Sequence, residues 1–197
     1  MLLIGQRLAI KGVWDETPTP DGRHDIILNP SITTFGNGYH PSTRIFLTHL
    51  EAGQVTPGMS VLDIGTGTGI LAIAAALLGA TNVWAVDTNP GVIETAWKNC
   101  RSSGVRDLVT VADELPGSEF DVSDAPPGEF DLVVCNIDNL AVAVDALRYV
   151  KPGGLCAVAV QATEQVMLQS MVSGFRVEVA EPFQRWVYLA FRRQAGG

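Results

Sequence analysis

Apolar runs alternate with amphipathic stretches along the chain from Ser60 onward. Runs typical of strands are SVLDI, VWAV, LVTV, FDLVVCNI and GLCAVAV, and stretches with helical spacing separate or follow them: GILAIAAALLGA, PGVIETAWKNCRSSG, DNLAVAVDALRYV and EQVMLQSMV. Strands separated by helices of this length need crossover connections, so neighbouring strands run parallel. The strand runs are continuously apolar, which is typical of strands buried on both faces. The pattern predicts an α/β fold with a mostly parallel sheet between layers of helices.

The ends of the elements carry their own signals. Asn89 and Pro90 suit the cap and first turn of a helix, and Gly79 and Gly104 stand where helices are expected to end. The last two strand-like runs, FRVEVAEP and RWVYLAFRR, leave no room for a helix between them. They predict an antiparallel hairpin at one edge of a sheet of six or seven strands. Near the N-terminus, residues 7–14 and 25–28 predict two short strands around a tight reversal at PTPDG.

Composition narrows the class of protein. The 197 residues are 47% apolar and 17% charged, which suits a full core in one α/β domain with a short appendage. A net charge of −8 argues against a nucleic-acid partner, because such surfaces need clustered Lys and Arg. The stretch from Glu114 to Asp131 holds six acids and no Lys or Arg. It predicts a solvated surface loop, with a docking strip for a basic partner as the functional alternative.

Cysteine usage and the N-terminus point to a cellular compartment. Cys100, Cys135 and Cys156 are odd in number and lack the spacing of metal ligands, which favours reduced, buried thiols and no metal site. The segment MLLIGQRLAIKG is too short and interrupted for a signal peptide, and no apolar run reaches the length of a membrane span. We expect a soluble, cytoplasmic protein that does not contact a membrane.

The segment VLDIGTGTGILA carries the strongest chemical signal. A strand ends at Ile64, glycines follow at 65, 67 and 69, and a helix begins at once. Such a turn lets a ligand lie against bare backbone, with the amides of the helix N-terminus pointing at it. The next strand ends at Asp87, twenty-two residues after Gly65, where an acid can accept hydrogen bonds from both ribose hydroxyls. The segment predicts a nucleoside pocket; the alternative is a packing turn, with Asp87 as a cap.

The details of the loop favour a nucleoside without phosphates. The third glycine comes one residue too early for the dinucleotide fingerprint, and Ile70 stands in its place. Asp63, two residues before Gly65, would repel a pyrophosphate. S-adenosylmethionine fits better, because its amino and sulfonium groups are cationic. Asp113, after the third strand, is a candidate for the adenine amino group, or an ordinary loop acid.

Four segments carry a resemblance: FGNGYHPST, VLDIGTGTGILAIAAALLGA, VDTNPGVIETAWKN and DLVVCNI, in that order. Together they resemble the methyltransferase family that modifies bacterial ribosomal large-subunit protein eleven. That family shows FGTGxHxTT, VLDxGxGSGxLAIAAxxLGA and DLVxANI, and closes on a hairpin like GFRVEVAEPFQRWVYLAFRR here. The similarity runs from about Ile4 to Arg193. It implies a Rossmann-like class I methyltransferase fold and S-adenosylmethionine as cofactor.

The resemblance also gives the first loop a role. In the family, the FGTG-type loop and the helix that it starts lie over the methionine end of the cofactor. A plain helix-initiating turn is the alternative, and it explains Pro41 and Ser42 but not the paired glycines. The residues expected at the cofactor are Phe35, Gly36, Gly38, Thr43, Asp63, Gly65, Thr66, Gly67, Gly69, Asp87, Thr88, Asp113 and Asn136.

The chain departs from the family pattern in several places. Asn37 and Ser42 replace threonines, which are mild changes. The resemblance implies a substrate-recognition domain before the catalytic one, and this chain starts at what would be the connecting segment. We therefore expect a strand-rich connecting segment at residues 1–34, a cofactor-binding methyltransferase domain at residues 35–197, and no docking apparatus for the ribosomal protein.

The acceptor site is expected after the fourth strand. Methyl transfer is an in-line displacement, so positioning of a nucleophile with a free lone pair is the main task. Asn136 could accept a hydrogen bond from an amine, or simply terminate the strand. Asp138, where the family has Leu, could hold a lysine ammonium and assist its deprotonation, but it more often caps a helix at such a position. His40 is a candidate proton acceptor, or an ordinary loop histidine.

The expected function is transfer of a methyl group from S-adenosylmethionine to an amine of a protein, either a lysine or the N-terminus, and a basic protein is one option for this substrate. The alternatives are a cofactor-binding subunit that needs a partner for substrate recognition, a methyltransferase for small molecules, and a nicotinamide-dependent oxidoreductase.

Overall fold

The fold is taken from a computed structural model, which describes residues 1–29, 36–113 and 129–195. A small sheet holds β1 (Leu2–Ile4), β2 (Leu8–Gly12) and β3 (His24–Leu28). The large sheet holds β4 (Ser60–Ile64), β5 (Asn82–Val86), β6 (Val109–Ala112), β7 (Phe130–Cys135), β8 (Val150–Gln161), β9 (Phe175–Phe183) and β10 (Trp186–Arg193). The helices are α1 (Pro41–His49), α2 (Ile70–Leu77), α3 (Pro90–Ser102), α4 (Leu140–Ala146) and α5 (Gln165–Met171).

The large sheet has the strand order β6-β5-β4-β7-β8-β10-β9. The strands from β6 to β8 are parallel, and β10 is antiparallel to both β8 and β9. The predicted fold class is therefore confirmed, including the antiparallel hairpin at one edge. The order reverses at β4, because β5 and β6 lie on one side of it and β7 on the other. Ligands of open α/β sheets bind at such a switch point, outside the carboxyl ends of the strands.

Helix α2 shows why the chain needs its small sheet. Every residue from Ile70 to Ala76 is buried, so the helix has no solvent-facing side. A helix that is apolar all round must be covered all round. It contacts β4 and β5 of the large sheet, helices α1 and α3, and strand β3 of the small sheet. Buried side chains of both sheets, among them Ile26 and Val61, belong to one core.

The N-terminal region differs from the sequence-based expectation. The predicted tight turn at PTPDG is present, since the Arg23 N–H donates to the Pro20 carbonyl at 3.3 Å. It does not join the two strands as a hairpin, because β2 and β3 pair in parallel, from Leu8 opposite His24 to Gly12 opposite Leu28. Residues 13–23 lead the chain from the end of β2 back to the end of the small sheet where β2 starts, so that β3 begins beside it. Strand β1 was not predicted; it pairs antiparallel with β2. The division at residue 34 lies among residues 30–35, outside the described part of the chain, and stays a prediction.

The predicted caps are largely confirmed. The Asn89 side chain accepts a hydrogen bond from the Gly91 N–H at 3.0 Å, at the start of α3. Gly79 and Gly104 follow the ends of α2 and α3. The cap interpretation of Asp138 is wrong, because Asn139 Oδ1 accepts the Ala141 and Val142 N–H groups. Within the described residues, no helix is long and apolar enough to cross a membrane.

Candidate functional site

The glycine loop between β4 and α2 is held against the end of β5. The Gly65 and Thr66 N–H groups both donate to the Val86 carbonyl, at 2.9 and 3.0 Å. The Gly67 N–H donates to Asp87 Oδ2 at 3.2 Å. Gly67 has φ of 57°, a conformation that other residues rarely adopt, so a side chain here would strain the loop. The structure thus brings together the glycine loop and the acid that the sequence predicted as parts of one site.

Asp63 lies beneath this loop. It is 1% exposed and accepts hydrogen bonds from Thr66 Oγ1 at 2.7 Å and from the Ala72 N–H at 3.2 Å. Burial, aided by the charge of Asp87, raises the pKa of Asp63 to about 7, although its two hydrogen bonds act in the opposite direction. Asp63 is not among the residues that line the neighbouring cavity. The geometry gives Asp63 and Thr66 a role in shaping the loop.

A cavity of about 870 Å³ opens at the carboxyl ends of β4, β5 and β7. Its walls include Gly65, Gly67, Asp87, Thr88 and Asn136, and it continues along α4. All five belong to the set that the sequence predicted for the cofactor. Most of the remaining surface is apolar, as is typical of small-molecule sites with a few placed polar groups.

The residues present fit S-adenosylmethionine. The Asp87 carboxylate accepts two backbone N–H groups, from Gly67 and from Asn89. A carboxylate offers about four acceptor positions, so capacity remains for ribose hydroxyls. Val86 and Val92 provide apolar walls for a purine. Within the described residues, no group of three or more His, Cys, Asp or Glu is arranged to hold a metal ion.

The loop before α1 packs against the protein itself. Gly36 has φ of 104°, and a Cβ built there would lie 2.8 Å from the Thr68 hydroxyl. A Cβ at Gly38 would lie 2.4 Å from Ile10 Cδ1. Neither glycine lines the large cavity. The structure therefore supplies a reason for the paired glycines that the sequence did not suggest, namely close packing against Thr68 and Ile10.

Three of the other predicted cofactor residues, Gly69, Asp113 and Thr43, do not line the cavity, and a fourth, Phe35, lies outside the described residues. Asp113 is exposed just after β6, and Gly69 caps α2 against Ala96. Phe35 and most of the acidic stretch, residues 114–128, lie outside the described part of the chain.

Thr43 is completely buried on α1, and its hydroxyl has no hydrogen-bond partner among the described residues. An unsatisfied buried hydroxyl is costly, but Thr43 does not line the large cavity, so its contact with the cofactor stays a prediction.

A second, smaller cavity of about 210 Å³ adjoins the first. The three predicted catalytic residues, His40, Asn136 and Asp138, all line it. Asn136 and Ile137 line both cavities and so form the boundary between them. The structure therefore places the predicted catalytic residues around one space, next to the predicted cofactor space.

The three side chains differ in their surroundings. His40 caps α1: its Nδ1 accepts the Ser42 N–H at 3.2 Å and lies 2.7 Å from Ser42 Oγ. Asp138 is exposed, and its Oδ1 accepts a hydrogen bond from Gln161 Nε2 at 3.3 Å. Trp186, buried at the start of β10, completes the wall. No Lys or Arg is among the described residues that line this cavity.

Sequence reasoning missed three residues that shape the site. Ile137 lies over Gly65, where a Cβ would be 2.2 Å from its Cδ1. Thr68 and Asn99 are buried polar residues that connect the glycine loop to its neighbours. Thr68 stands inside the glycine motif, which was the available signal. Asn99 gave no such signal, because in the sequence it looks like any polar residue of a helix.

Comparison with known proteins decides the family. The model of the family described as "Ribosomal protein L11 methyltransferase (PrmA)" matches residues 2–194. The chain belongs to this family. The resemblance inferred from the four sequence segments is confirmed, and the PrmA family agrees with the predicted cofactor class.

Relatives and a solved structure agree with the PrmA assignment. The chain is 38% identical over 192 residues to the ribosomal protein L11 methyltransferase of Dechloromonas aromatica, and 35% over 199 residues to that of an Exiguobacterium species. These alignments cover 95% and 96% of this chain and 60% of each relative, so the chain spans about 60% of their length. A ribosomal protein L11 methylase structure from Lactobacillus delbrueckii subsp. bulgaricus superimposes with a TM-score of 0.79 at 27% identity, covering 96% of both chains.

Proposed function

We propose that this PrmA-family chain is an S-adenosylmethionine-dependent methyltransferase that acts on an amine of a protein. The observation that carries the proposal is the pair of adjoining cavities with Asn136 on the wall of both. The large one has the features of a nucleoside site, and the small one is bounded by a carboxylate and an aromatic ring. A methyl donor and an acceptor amine in these two spaces would meet at Asn136.

In the large cavity, Asp87 would hold the ribose hydroxyls, and Gly65 and Gly67 would let the ligand approach the backbone. Glycines 65 and 67 lack the Cβ atoms that would narrow this wall. When bound, the cofactor supplies an electrophilic methyl group on a sulfonium. Phe35, Thr88, Asp113 and the buried hydroxyl of Thr43 remain proposed contacts of the same ligand.

In the small cavity, Asn136 would align the acceptor. Its side-chain carbonyl accepts a hydrogen bond from the amine, which directs the nitrogen lone pair toward the shared boundary. Asp138 would attract the incoming ammonium, because no Lys or Arg among the described lining residues neutralises it. The acceptor ammonium must lose a proton before its nitrogen attacks the methyl group, because only the neutral amine carries a lone pair.

Asp138 is better placed than His40 to receive that proton. The Nδ1 of His40 already accepts the Ser42 N–H, and would have to give up the α1 cap to take a proton there. Only one oxygen of Asp138 accepts a hydrogen bond from Gln161, and the side chain is exposed at the wall of the small cavity. We therefore propose Asp138 as the group that holds the ammonium and assists its deprotonation. His40 forms part of the cavity wall and caps α1.

Label transfer tests the proposal. The purified chain is incubated with S-adenosylmethionine labelled in its methyl group, first with ribosomal protein L11, after which the family is named, and then with a cell lysate. We expect label on a protein band, and much less label with Asp87→Ala when the cofactor concentration is well below saturation. Label on small metabolites alone would refute the protein acceptor, and absence of both transfer and cofactor binding would refute the whole proposal.

A further inference from the structure

Asn99 joins three segments of the chain inside the protein. It lies on α3 and is completely buried. Its Oδ1 accepts the Asn29 N–H at 2.7 Å and the Asn29 side-chain amide at 3.1 Å. Its Nδ2 donates to the Thr68 carbonyl at 2.7 Å. The Asn99 side-chain amide thus holds both the glycine loop and Asn29, the residue that follows strand β3.

Thr68 extends this connection to the loop before α1. Its hydroxyl donates to the Gly36 carbonyl at 2.5 Å. It also follows Gly67, whose N–H orients Asp87. The contacts therefore run from Asn29 through Asn99 and Thr68 to Gly36. None of these four residues lines the large cavity, but Thr68 directly follows Gly67, which does.

The chemistry at position 99 calls for an amide. The Thr68 carbonyl needs a donor and the Asn29 N–H needs an acceptor, and both are buried or partly buried. A carboxylate would serve Asn29 but face the Thr68 carbonyl without a proton, and an apolar side chain would serve neither. Leaving a buried carbonyl unpaired costs more than the hydrogen bond contributes.

We propose that Asn99 is a positioning residue of the cofactor site: it holds the glycine loop in its binding geometry and so sets cofactor affinity without touching the cofactor. The inference rests on the proposed function, since it concerns the same ligand. It goes beyond that function because Asn99 links the glycine loop to Asn29, which follows strand β3 of the small sheet, so the small sheet helps to shape the cofactor site.

The test compares Asn99→Asp with wild type by calorimetry against S-adenosylhomocysteine. Asp keeps the acceptor for Asn29 and loses only the donor for Thr68. We expect binding roughly ten-fold weaker or more. In the label-transfer assay the KM for S-adenosylmethionine should rise in parallel, while the rate at saturating cofactor stays within about two-fold of wild type.

Ser102→Ala is the matched control, because Ser102 Oγ also accepts from the Asn29 side chain, at 3.3 Å, but does not contact Thr68. It should bind like wild type. If Asn99→Asp does not fold, Asn99→Ser tests the same position, because its shorter side chain cannot reach the Thr68 carbonyl and Asn29 together, and the same loss of affinity is expected.

Three results would overturn the inference. Unchanged affinity in a folded variant that melts earlier would make Asn99 purely structural. A lower rate at saturating cofactor, with unchanged affinity for S-adenosylhomocysteine, would mean that Asn99 affects the transfer step and not cofactor binding. Wild-type protein that fails to bind S-adenosylhomocysteine would remove the proposed function, and this inference with it.

Discussion

Replacing Asp63 by Asn should change how the stability of the protein depends on pH. Asp63 is 1% exposed, below the glycine loop, and its oxygen accepts hydrogen bonds from Thr66 and Ala72. Asn keeps the shape and an acceptor oxygen but cannot ionise. Burial raises the pKa of Asp63 from 3.8 to about 7. The folded protein therefore holds a proton on this group at a pH where the unfolded chain has released it.

The magnitude follows from linkage. A group whose pKa is raised by folding stabilises the protein most below its unfolded pKa, and that contribution is lost as pH rises through the folded pKa. One pKa unit corresponds to about 1.36 kcal/mol, so the rise from 3.8 to about 7 corresponds to about 4 kcal/mol. Wild type should thus lose about that much free energy of unfolding, relative to Asp63→Asn, between about pH 4 and about pH 8.

Urea unfolding at a series of pH values measures this difference. The other carboxyl groups titrate in both proteins and cancel, and any fixed cost of the Asn side chain shifts the difference by a constant. The prediction is therefore the slope of the difference in free energy of unfolding, with the variant gaining on wild type as pH rises. A difference that stays flat from about pH 4 to about pH 8 would refute the reasoning.

Three further substitutions test the site and its support. Asp87→Ala should weaken S-adenosylhomocysteine binding at least about ten-fold in calorimetry, because a charged acceptor and the Gly67 contact are lost, and unchanged affinity would remove Asp87 from the site. Thr43→Val should raise the melting temperature by relieving a buried hydroxyl that has no partner among the described residues, and should weaken cofactor binding if that hydroxyl is a ligand contact; a variant that melts earlier would contradict the first part. Tyr188→Phe should cost about 1 kcal/mol in urea unfolding, because the Tyr188 hydroxyl donates to Gln54 Oε1 at 2.6 Å, and cofactor affinity should stay unchanged.

The large sheet could be predicted because its signals are local. Continuous apolar runs, the cap at Asn89 and the glycines after α2 and α3 each specify nearby structure, and the helix-strand alternation leaves few topologies. The loop from Gly65 to Gly69 and its distance to Asp87 were readable for the same reason, because consecutive parallel strands place their ends side by side.

The rest depended on contacts between distant segments. The parallel pairing of β2 with β3 cannot be read from turn residues, because Pro and Gly favour a reversal without specifying which strand edges meet. The α4 cap was misplaced by one residue, since Asp138 and Asn139 are adjacent and both are good caps. Asn99 was missed because its partners lie 31 and 70 positions away in sequence.

The place of β10 has a consequence for how the chain is made. It follows β9 in the chain, yet it lies inside the sheet, between β8 and β9. Its Tyr188, Leu189 and Phe191 are completely buried. During synthesis β9 therefore has no neighbouring strand, and β8 keeps an unpaired edge, until β10 has left the ribosome. The core of the large sheet can therefore form only after residues 186–193 have emerged, and a nascent chain stalled before them would expose the unpaired edge of β8.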